Sequence, residues 1–177
     1  MTEVQGFRKG KAIADNNAAI GDNVLRVNSR RVKIMKNTDI LVNLLIADIK
    51  NKTVLEAACG AADFSVSASA YSDSVYCIDL DDGRLNSRPA ADLHFQIMDA
   101  SKMDFADETF DTVILYNAFF HIQSQWIEIE RECRRVLKAE GVIYIVGTWK
   151  LDVHIIMDVF GDKAEWQDQF LIVEIRK

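Results

Sequence analysis

The first segment with chemical potential is a turn of small residues, 58–62, between an apolar run and a helix-like stretch that starts at Asp63. Small side chains let a backbone approach a ligand closely, and the first N–H groups of a helix attract a carboxylate or a phosphate. The segment is therefore a candidate ligand-binding turn. Close packing of a strand on a helix is the alternative interpretation.

An acidic residue, Asp79, directly follows the apolar residues 75–78 and lies nineteen positions after Gly60. A carboxylate about 20 residues beyond a glycine turn, at the tip of the second strand, can accept hydrogen bonds from both hydroxyls of a ribose. Helix capping is the alternative role, which Asp81 or Asp82 could also fill. The position next to the apolar run favours Asp79 as the ribose-binding residue.

The same turn fits a dinucleotide fingerprint poorly. The pattern G-x-G-x-x-G would need glycines at positions 58, 60 and 63, where the chain has Ala58, Gly60 and Asp63. The third glycine normally permits close helix–strand packing, so the carboxylate of Asp63 disfavours a nicotinamide cofactor. An NAD(P)-dependent oxidoreductase is therefore the less favoured reading.

Polar residues also follow two later apolar runs. Asp99 comes after the run 94–98, and Tyr116 and Asn117 come at the end of the run 112–116. His121 lies in the same segment, and an imidazole suits general-base catalysis because it changes charge between pH 5 and 8. His121 is thus a candidate catalytic base, with an exposed or capping histidine as the alternative.

These residues need a scaffold, and the chain from residue 53 onward supplies one. Short apolar runs alternate with helix-like stretches, which predicts an α/β, three-layer, Rossmann-like doubly wound sheet of six or seven mostly parallel strands. Ligands bind such sheets beyond the carboxyl ends of the strands. The runs are 53–58, 74–80, 94–98, 112–116, 142–147 and 170–175, and helices are expected at 63–70, 123–137 and 152–160.

Length and composition fit one domain. The chain has 177 residues, of which 49% are hydrophobic and 27% charged, and this is ordinary for a globular protein. Residues 1–37 are expected to form a helical N-terminal lid, and residues 38–177 a cofactor-binding core. Gly141 is expected to end a helix and open the next strand.

Charge and cysteine content exclude several classes. The net charge is −6, yet the first 52 residues carry ten Lys and Arg against five Asp and Glu. The acidic remainder disfavours nucleic-acid binding. Three cysteines without a C-x-x-C pair indicate reduced thiols in a cytoplasmic protein and no metal site, and no stretch is long enough to cross a membrane.

In order and spacing, five segments resemble the class I S-adenosylmethionine-dependent methyltransferases, over about residues 38–150. Residues 54–64 match the family's D-I-G-C-G-T-G turn, 103–113 its L-P-F-x-D-x-S-F-D-x-V run, and 135–141 its R-V-L-K-P-G-G turn. The resemblance implies S-adenosylmethionine as cofactor and a small-molecule methyl acceptor. A non-catalytic S-adenosylmethionine-binding sensor or subunit is the alternative, since Ala58 and Ala62 replace two family glycines.

The resemblance also implies roles for residues at the first two strands. Glu56 would serve the methionine end of the cofactor, and the backbone of Ala58 and Gly60 would contact the same end. Asp79 would bind the ribose, and Leu80 would pack on the adenine.

At the next two strands the resemblance places Asp99 at the adenine amino group, with Ala100 beside it. Tyr116 and Asn117 would line the cofactor's sulfur and the substrate entrance. Residues 170–175 would form an antiparallel C-terminal strand, and the strand that normally precedes it is expected to be vestigial or absent.

Overall fold

The computed structural model describes residues 23–28, 31–85 and 93–177. Nine strands are assigned within them. In chain order they are β1 (Asn23–Asn28), β2 (Arg31–Lys36), β3 (Thr53–Ala57), β4 (Ser74–Asp79), β5 (Leu93–Ile97), β6 (Phe110–Tyr116), β7 (Leu137–Gly147), β8 (Ala164–Gln167) and β9 (Phe170–Arg176).

Helices separate most of these strands. They are α1 (Asn37–Leu44), α2 (Ile46–Ile49), α3 (Asp63–Ala68), α4 (Phe119–Ile122), α5 (Trp126–Val136) and α6 (Lys150–Phe160), with single 3₁₀ turns at Gln123–Gln125 and Gly161–Lys163. The part of the chain between α3 and β5 that the structure describes holds no further helix, so the second crossover contributes only a turn there.

The described part of the chain contains a seven-stranded sheet in the order β5-β4-β3-β6-β7-β9-β8. β3 to β7 run parallel, and β9 lies antiparallel between β7 and β8. The predicted doubly wound α/β sheet with an antiparallel C-terminal strand is confirmed. The strand before it is short but present, as β8.

Two apolar clusters fill the space between the sheet and its helices. On one face α5 buries Trp126, Ile129, Cys133 and Val136, a spacing of three to four residues that marks one side of a helix. On the other face α1 and α3 bury Leu41 and Phe64. Helices therefore cover both faces of the sheet, which gives the three-layer arrangement.

The expectation of a helical segment over residues 1–37 is wrong for the part that the structure describes. β1 and β2 pair antiparallel, from Asn23 opposite Lys36 to Asn28 opposite Arg31. The physical reason is the strand-like alternation of Arg31, Val32, Lys33 and Ile34, which has a period of two residues. Residues 1–22 of the predicted lid lie outside the described residues.

Gly141 differs from expectation as well. It lies inside β7, where the sheet pairing jumps from Phe110 opposite Leu137 to Thr112 opposite Val142. A Cβ added at Gly141 would lie 2.5 Å from Cγ of Leu137 and 2.9 Å from the carbonyl oxygen of Asp111. Gly141 is therefore needed for close packing in a strand irregularity, and it does not cap α5.

Among the described residues, the helices are all too short or too polar to span a bilayer.

Candidate active site

A cavity of about 680 Å³ opens at the carboxyl ends of β3, β4, β5 and β6. Its size lies within the ~300–1,000 Å³ typical of small-molecule sites. The structure brings all ten sequence-predicted site residues to its lining: Glu56, Ala58, Gly60, Asp79, Leu80, Asp99, Ala100, Tyr116, Asn117 and His121. They come from separate parts of the chain, and the sheet topology alone brings them together.

The turn after β3 has an unusual backbone. Ala58, Gly60 and Ala62 all have positive φ angles, of 54°, 53° and 57°. An L-residue in this left-handed region costs roughly 1–2 kcal/mol because its Cβ crowds the following carbonyl. The two alanines therefore keep the glycine-type conformation of the turn at a cost in stability. At Gly60 no described atom lies within 4 Å of an added Cβ, so the backbone faces open space.

Asp79 connects the tip of β4 to this turn. Its Oδ2 accepts a hydrogen bond from the backbone N–H of Gly60 at 2.7 Å, and its Oδ1 accepts one from the N–H of Leu80 at 2.8 Å. Each carboxylate oxygen has a second lone pair. Asp79 can therefore hold the turn and still accept hydroxyl groups from a ligand in the cavity.

Glu56 is the second-last residue of β3 and lines the cavity, although it is only 1% exposed. Its Oε2 accepts hydrogen bonds from the backbone N–H and the hydroxyl of Ser65 in α3. Burial raises the pKa of Glu56 to about 8, and the bonds from Ser65 only partly oppose this. A cation entering the cavity beside Glu56 would favour its charged form.

The end of β5 supplies the next part of the lining. The N–H of Met98 donates to the carbonyl oxygen of Asp79 at 2.8 Å, which holds the two strand ends together. Asp99 follows, and the backbone N–H and hydroxyl of Ser101 hold the pKa of this carboxyl below its usual value. Leu80 is 69% exposed and presents an apolar side chain at the edge of the cavity.

Asn117 lines the cavity directly after the end of β6. It has a φ of 50°, and its N–H donates to the carbonyl oxygen of Val146 at 2.8 Å. Its side-chain Oδ1 accepts a bond from the N–H of Thr148 at 2.7 Å. The ends of β6 and β7 are thereby clamped together beside Tyr116.

His121 is exposed at the cavity on the short helix α4. Asp152, fully buried in the first turn of α6, holds this helix: its Oδ1 accepts a bond from the N–H of Phe120 at 2.7 Å. Oδ2 of Asp152 has no hydrogen-bond partner among the described residues, and burial raises the pKa of this carboxyl. Asp152 thus anchors the segment that carries His121.

Sequence reasoning missed several lining residues. They include Lys36, Asn37, Thr38, Arg84 and Gln125. The start of α1 reaches the cavity because Thr38 bonds to Ser67 of α3 at 2.8 Å. The polar Asn37–Thr38 pair before an apolar helix face was the available signal, but it indicates a helix start rather than a ligand site.

Two other histidines lie outside this lining. His94 stacks on Tyr76 with ring centroids 4.7 Å apart, and His154 faces Asp158 on the exposed side of α6. The described residues also contain no group of three or more His, Cys, Asp or Glu side chains placed to hold a metal ion.

Comparison with known proteins identifies the family. The sequence pattern of a methyltransferase domain matches residues 55–145, slightly more than half of the chain. The chain belongs to this methyltransferase family. The predicted membership of the class I S-adenosylmethionine-dependent methyltransferases is confirmed, and S-adenosylmethionine is the cofactor. No curated protein sequence matches the chain.

Solved structures share the fold at low sequence identity. A candidate methyltransferase from Bacillus halodurans is 23% identical with a TM-score of 0.54, over 61% of this chain and 50% of that one. A SAM-dependent methyltransferase from Aquifex aeolicus is 16% identical with a TM-score of 0.58, over 78% and 88%. The [4+2]-cyclase SpnF is 17% identical with a TM-score of 0.55, over 72% and 51%.

This chain spans only about half the length of some of these proteins, since the match covers 50% of the Bacillus halodurans chain and 51% of the SpnF chain. The residues present nevertheless fit the cofactor. Asp79 has free lone pairs for hydroxyl groups, Gly60 leaves room above its Cα, and the buried Glu56 suits an ammonium group.

Proposed function

We propose that this methyltransferase-family chain transfers a methyl group from S-adenosylmethionine to a small-molecule acceptor. One observation carries the proposal: ten residues selected from four separate sequence segments all line the same cavity. Because folds of this type host many activities, the proposal rests on the chemistry of these residues and not on the fold.

The cofactor half of the cavity has a group for each part of the ligand. We assign Asp79 to the ribose hydroxyls, Leu80 and Ala100 to the faces of the adenine, and Asp99 to its amino group. Glu56 and the turn at Gly60 take the methionine end. When bound, S-adenosylmethionine supplies an electrophilic methyl group on a positively charged sulfur.

The acceptor half lies at Tyr116, Asn117 and His121. Holding two reactants in line can contribute up to roughly 7–11 kcal/mol to a displacement, and the clamp between Asn117 and Thr148 fixes that side of the cavity. We assign His121 as the base that accepts a proton from a hydroxyl, amine or thiol acceptor. Proton removal of this kind contributes roughly 10²–10⁴-fold.

The β1–β2 hairpin leads directly into Lys36, Asn37 and Thr38, which line the cavity. We propose that the chain before α1 acts as a lid over the acceptor. A truncated chain starting at Met35 should keep its S-adenosylhomocysteine affinity within about fivefold but lose acceptor turnover, and equal turnover would contradict the lid. A cytoplasmic location is part of the proposal, because Cys59, Cys77 and Cys133 are free thiols.

A protein that binds S-adenosylmethionine without methyl transfer is the second candidate. The similar fold of the [4+2]-cyclase SpnF, whose name describes a different reaction, keeps this candidate open. The two alanines in the cofactor turn also depart from the glycines of the family.

A methyl-transfer assay tests the proposal. The protein is incubated with S-adenosylmethionine and panels of small hydroxyl, amine and thiol compounds, and S-adenosylhomocysteine formation is measured. The proposal expects formation that depends on both acceptor and protein and is lost in Asn117→Ala. Cofactor binding without turnover of any panel member would favour the second candidate.

A further inference from the structure

The charged side chains that line the cavity are separated into two halves. The lining residues from β6 onward, within 116–149, include no carboxylate among the described residues. The carboxylates of the described lining all lie in or just after β3, β4 and β5 or at the start of α3: Glu56, Asp63, Asp79, Asp81 and Asp99. The half assigned to the cofactor is therefore acidic, and the half assigned to the acceptor is not.

The start of α1 brings a cation to the acceptor half. Oδ1 of Asn37 accepts a hydrogen bond from Nε2 of Gln169 at 3.0 Å. Gln169 directly precedes β9, where Leu171 pairs with Gly147 at the carboxyl end of β7. Asn37 is thereby held at the β7–β9 side of the sheet, and its neighbour Lys36 lines the cavity there.

The Lys36 side chain is available to a ligand. It is exposed and lines the cavity, and no hydrogen bond or ion pair engages its ammonium group among the described residues. By contrast, the ammonium group of Lys138 pairs with Asp111 at 2.9 Å. The other lysine or arginine of the described lining, Arg84, follows β4 and belongs to the acidic half. A free positive charge therefore faces the acceptor half from Lys36.

We infer that the methyl acceptor is a small organic anion whose carboxylate or phosphate group binds Lys36. The inference rests on the proposed methyl transfer and names its substrate class. An ammonium group offers several N–H donors, and its hydrogen bonds to carboxylate or phosphate oxygens are about twice as strong as those between neutral groups. Asp79 and Asp99 would repel the same anion, so the charge pattern gives the acceptor one orientation.

Apolar side chains complete the acceptor half. Trp149 is 55% exposed and lines the cavity just after β7, and Ile122 lines it from the end of α4. An indole presents a large apolar surface to a ligand. The expected acceptor therefore combines an anionic group at Lys36, an apolar body against Trp149, and a separate hydroxyl, amine or thiol that faces His121.

The test compares anions with their neutral counterparts on the full chain saturated with S-adenosylhomocysteine. The anions are benzoate, phenylacetate and phenyl phosphate, and their counterparts are benzamide, phenylacetamide and phenol. Titrations followed by saturation-transfer NMR give the dissociation constant of each compound. We expect at least one anion to bind about 10-fold more tightly than its counterpart, with a preference that shrinks as salt is added. Comparison of the carboxylate and phosphate arms shows which group the site prefers.

Substitutions at Lys36 assign this preference to its charge. Lys36→Met keeps an unbranched apolar side chain without the charge and should abolish the preference, whereas Lys36→Arg should keep most of it. The matched control is Lys50→Met, at an exposed lysine outside the cavity lining, which should behave as wild type. The inference is overturned if no anion binds the wild-type chain more tightly than its counterpart, or if Lys36→Met keeps the preference.

Failure of this inference and failure of the proposed function give different results. A chain that does not bind S-adenosylhomocysteine lacks the proposed cofactor site, and the same titrations on the free chain still decide the anion preference. Formation of S-adenosylhomocysteine with neutral acceptors, together with equal binding of anions and their counterparts, would support methyl transfer and overturn the anionic acceptor.

Discussion

The carboxylate of Asp79 accepts a hydrogen bond from the backbone N–H of Gly60 across 2.7 Å. The acid at the tip of β4 therefore holds the turn after β3 in addition to facing the cavity. The proposed cofactor recognition and the observed turn geometry depend on the same side chain, so a substitution at Asp79 is expected to affect both.

Two substitutions at Asp79 compare the loss of its whole side chain with the loss of its negative charge alone. Hydrogen bonds to charged groups contribute about 1.5–3 kcal/mol each, so Asp79→Ala should lower S-adenosylhomocysteine affinity by about 100-fold. Asp79→Asn keeps one carbonyl acceptor and should lose less. Isothermal titration calorimetry measures both. The matched control is Asp82→Ala, which removes the same charge from an exposed residue outside the cavity lining and should change affinity less than about twofold.

Glu56 should make the stability of the free protein fall as the pH rises. Its pKa of about 8 in the folded chain lies above the ordinary 4.5, so the folded state binds more protons between pH 4.5 and 8. The free energy of unfolding should then decrease by up to about 1.4 kcal/mol per pH unit in this window. Urea denaturation from pH 5 to 8 measures the slope.

Glu56→Gln removes the titrating group and should flatten that slope. Glu132, whose pKa Arg135 holds below its usual value of 4.5, contributes stability that is fully present above pH 4.5 and is lost only as the pH falls below it. Glu132 therefore adds nothing to the slope between pH 5 and 8. A wild-type slope that matches the Glu56→Gln slope between pH 5 and 8 would show that Glu56 does not titrate in this range.

The two left-handed alanines are expected to destabilise the free protein. Ala58→Gly and Ala62→Gly relieve roughly 1–2 kcal/mol of backbone strain each, against roughly 0.5–1 kcal/mol of added chain entropy. Each should raise the free energy of unfolding by about 0.5–1 kcal/mol, measured by urea denaturation. Ala61, in the same turn, has no positive φ, so Ala61→Gly should be destabilising, and a stabilising Ala61→Gly would contradict the strain explanation.

His121→Asn should leave cofactor binding intact and slow the reaction with proton-bearing acceptors. If His121 is the base, turnover falls by roughly 10²–10⁴-fold, while S-adenosylhomocysteine affinity changes less than about twofold. The control is His154→Asn, on the exposed side of α6. Equal turnover in wild type and His121→Asn would remove His121 from the mechanism.

The sequence predicts the sheet and the strand-end residues well, because both depend on local pattern. Asp79 and Asn117 each follow an apolar run, and parallel strands bring such positions to one edge. The left-handed backbone of Ala58 and Ala62 could be anticipated only from the resemblance, which places glycines at these two positions. Alanine itself normally avoids that region.

Other features depend on contacts between distant parts of the chain. Asp152 anchors Phe120 across 32 positions, and nothing in the local pattern around Asp152 indicates that role. The β1–β2 hairpin was available in the sequence as the alternation from Arg31 to Ile34, but the basic residues in that stretch also fit a solvated helix face.

Binding of S-adenosylhomocysteine to this chain tests the central claim most directly. Isothermal titration calorimetry should show one site per chain, with an affinity that Asp79→Ala lowers by about 100-fold and Asp82→Ala leaves unchanged. A folded protein that releases no heat with S-adenosylhomocysteine or S-adenosylmethionine at high protein concentration, or that binds them equally well in Asp79→Ala, would contradict the assignment of this cavity as the cofactor site.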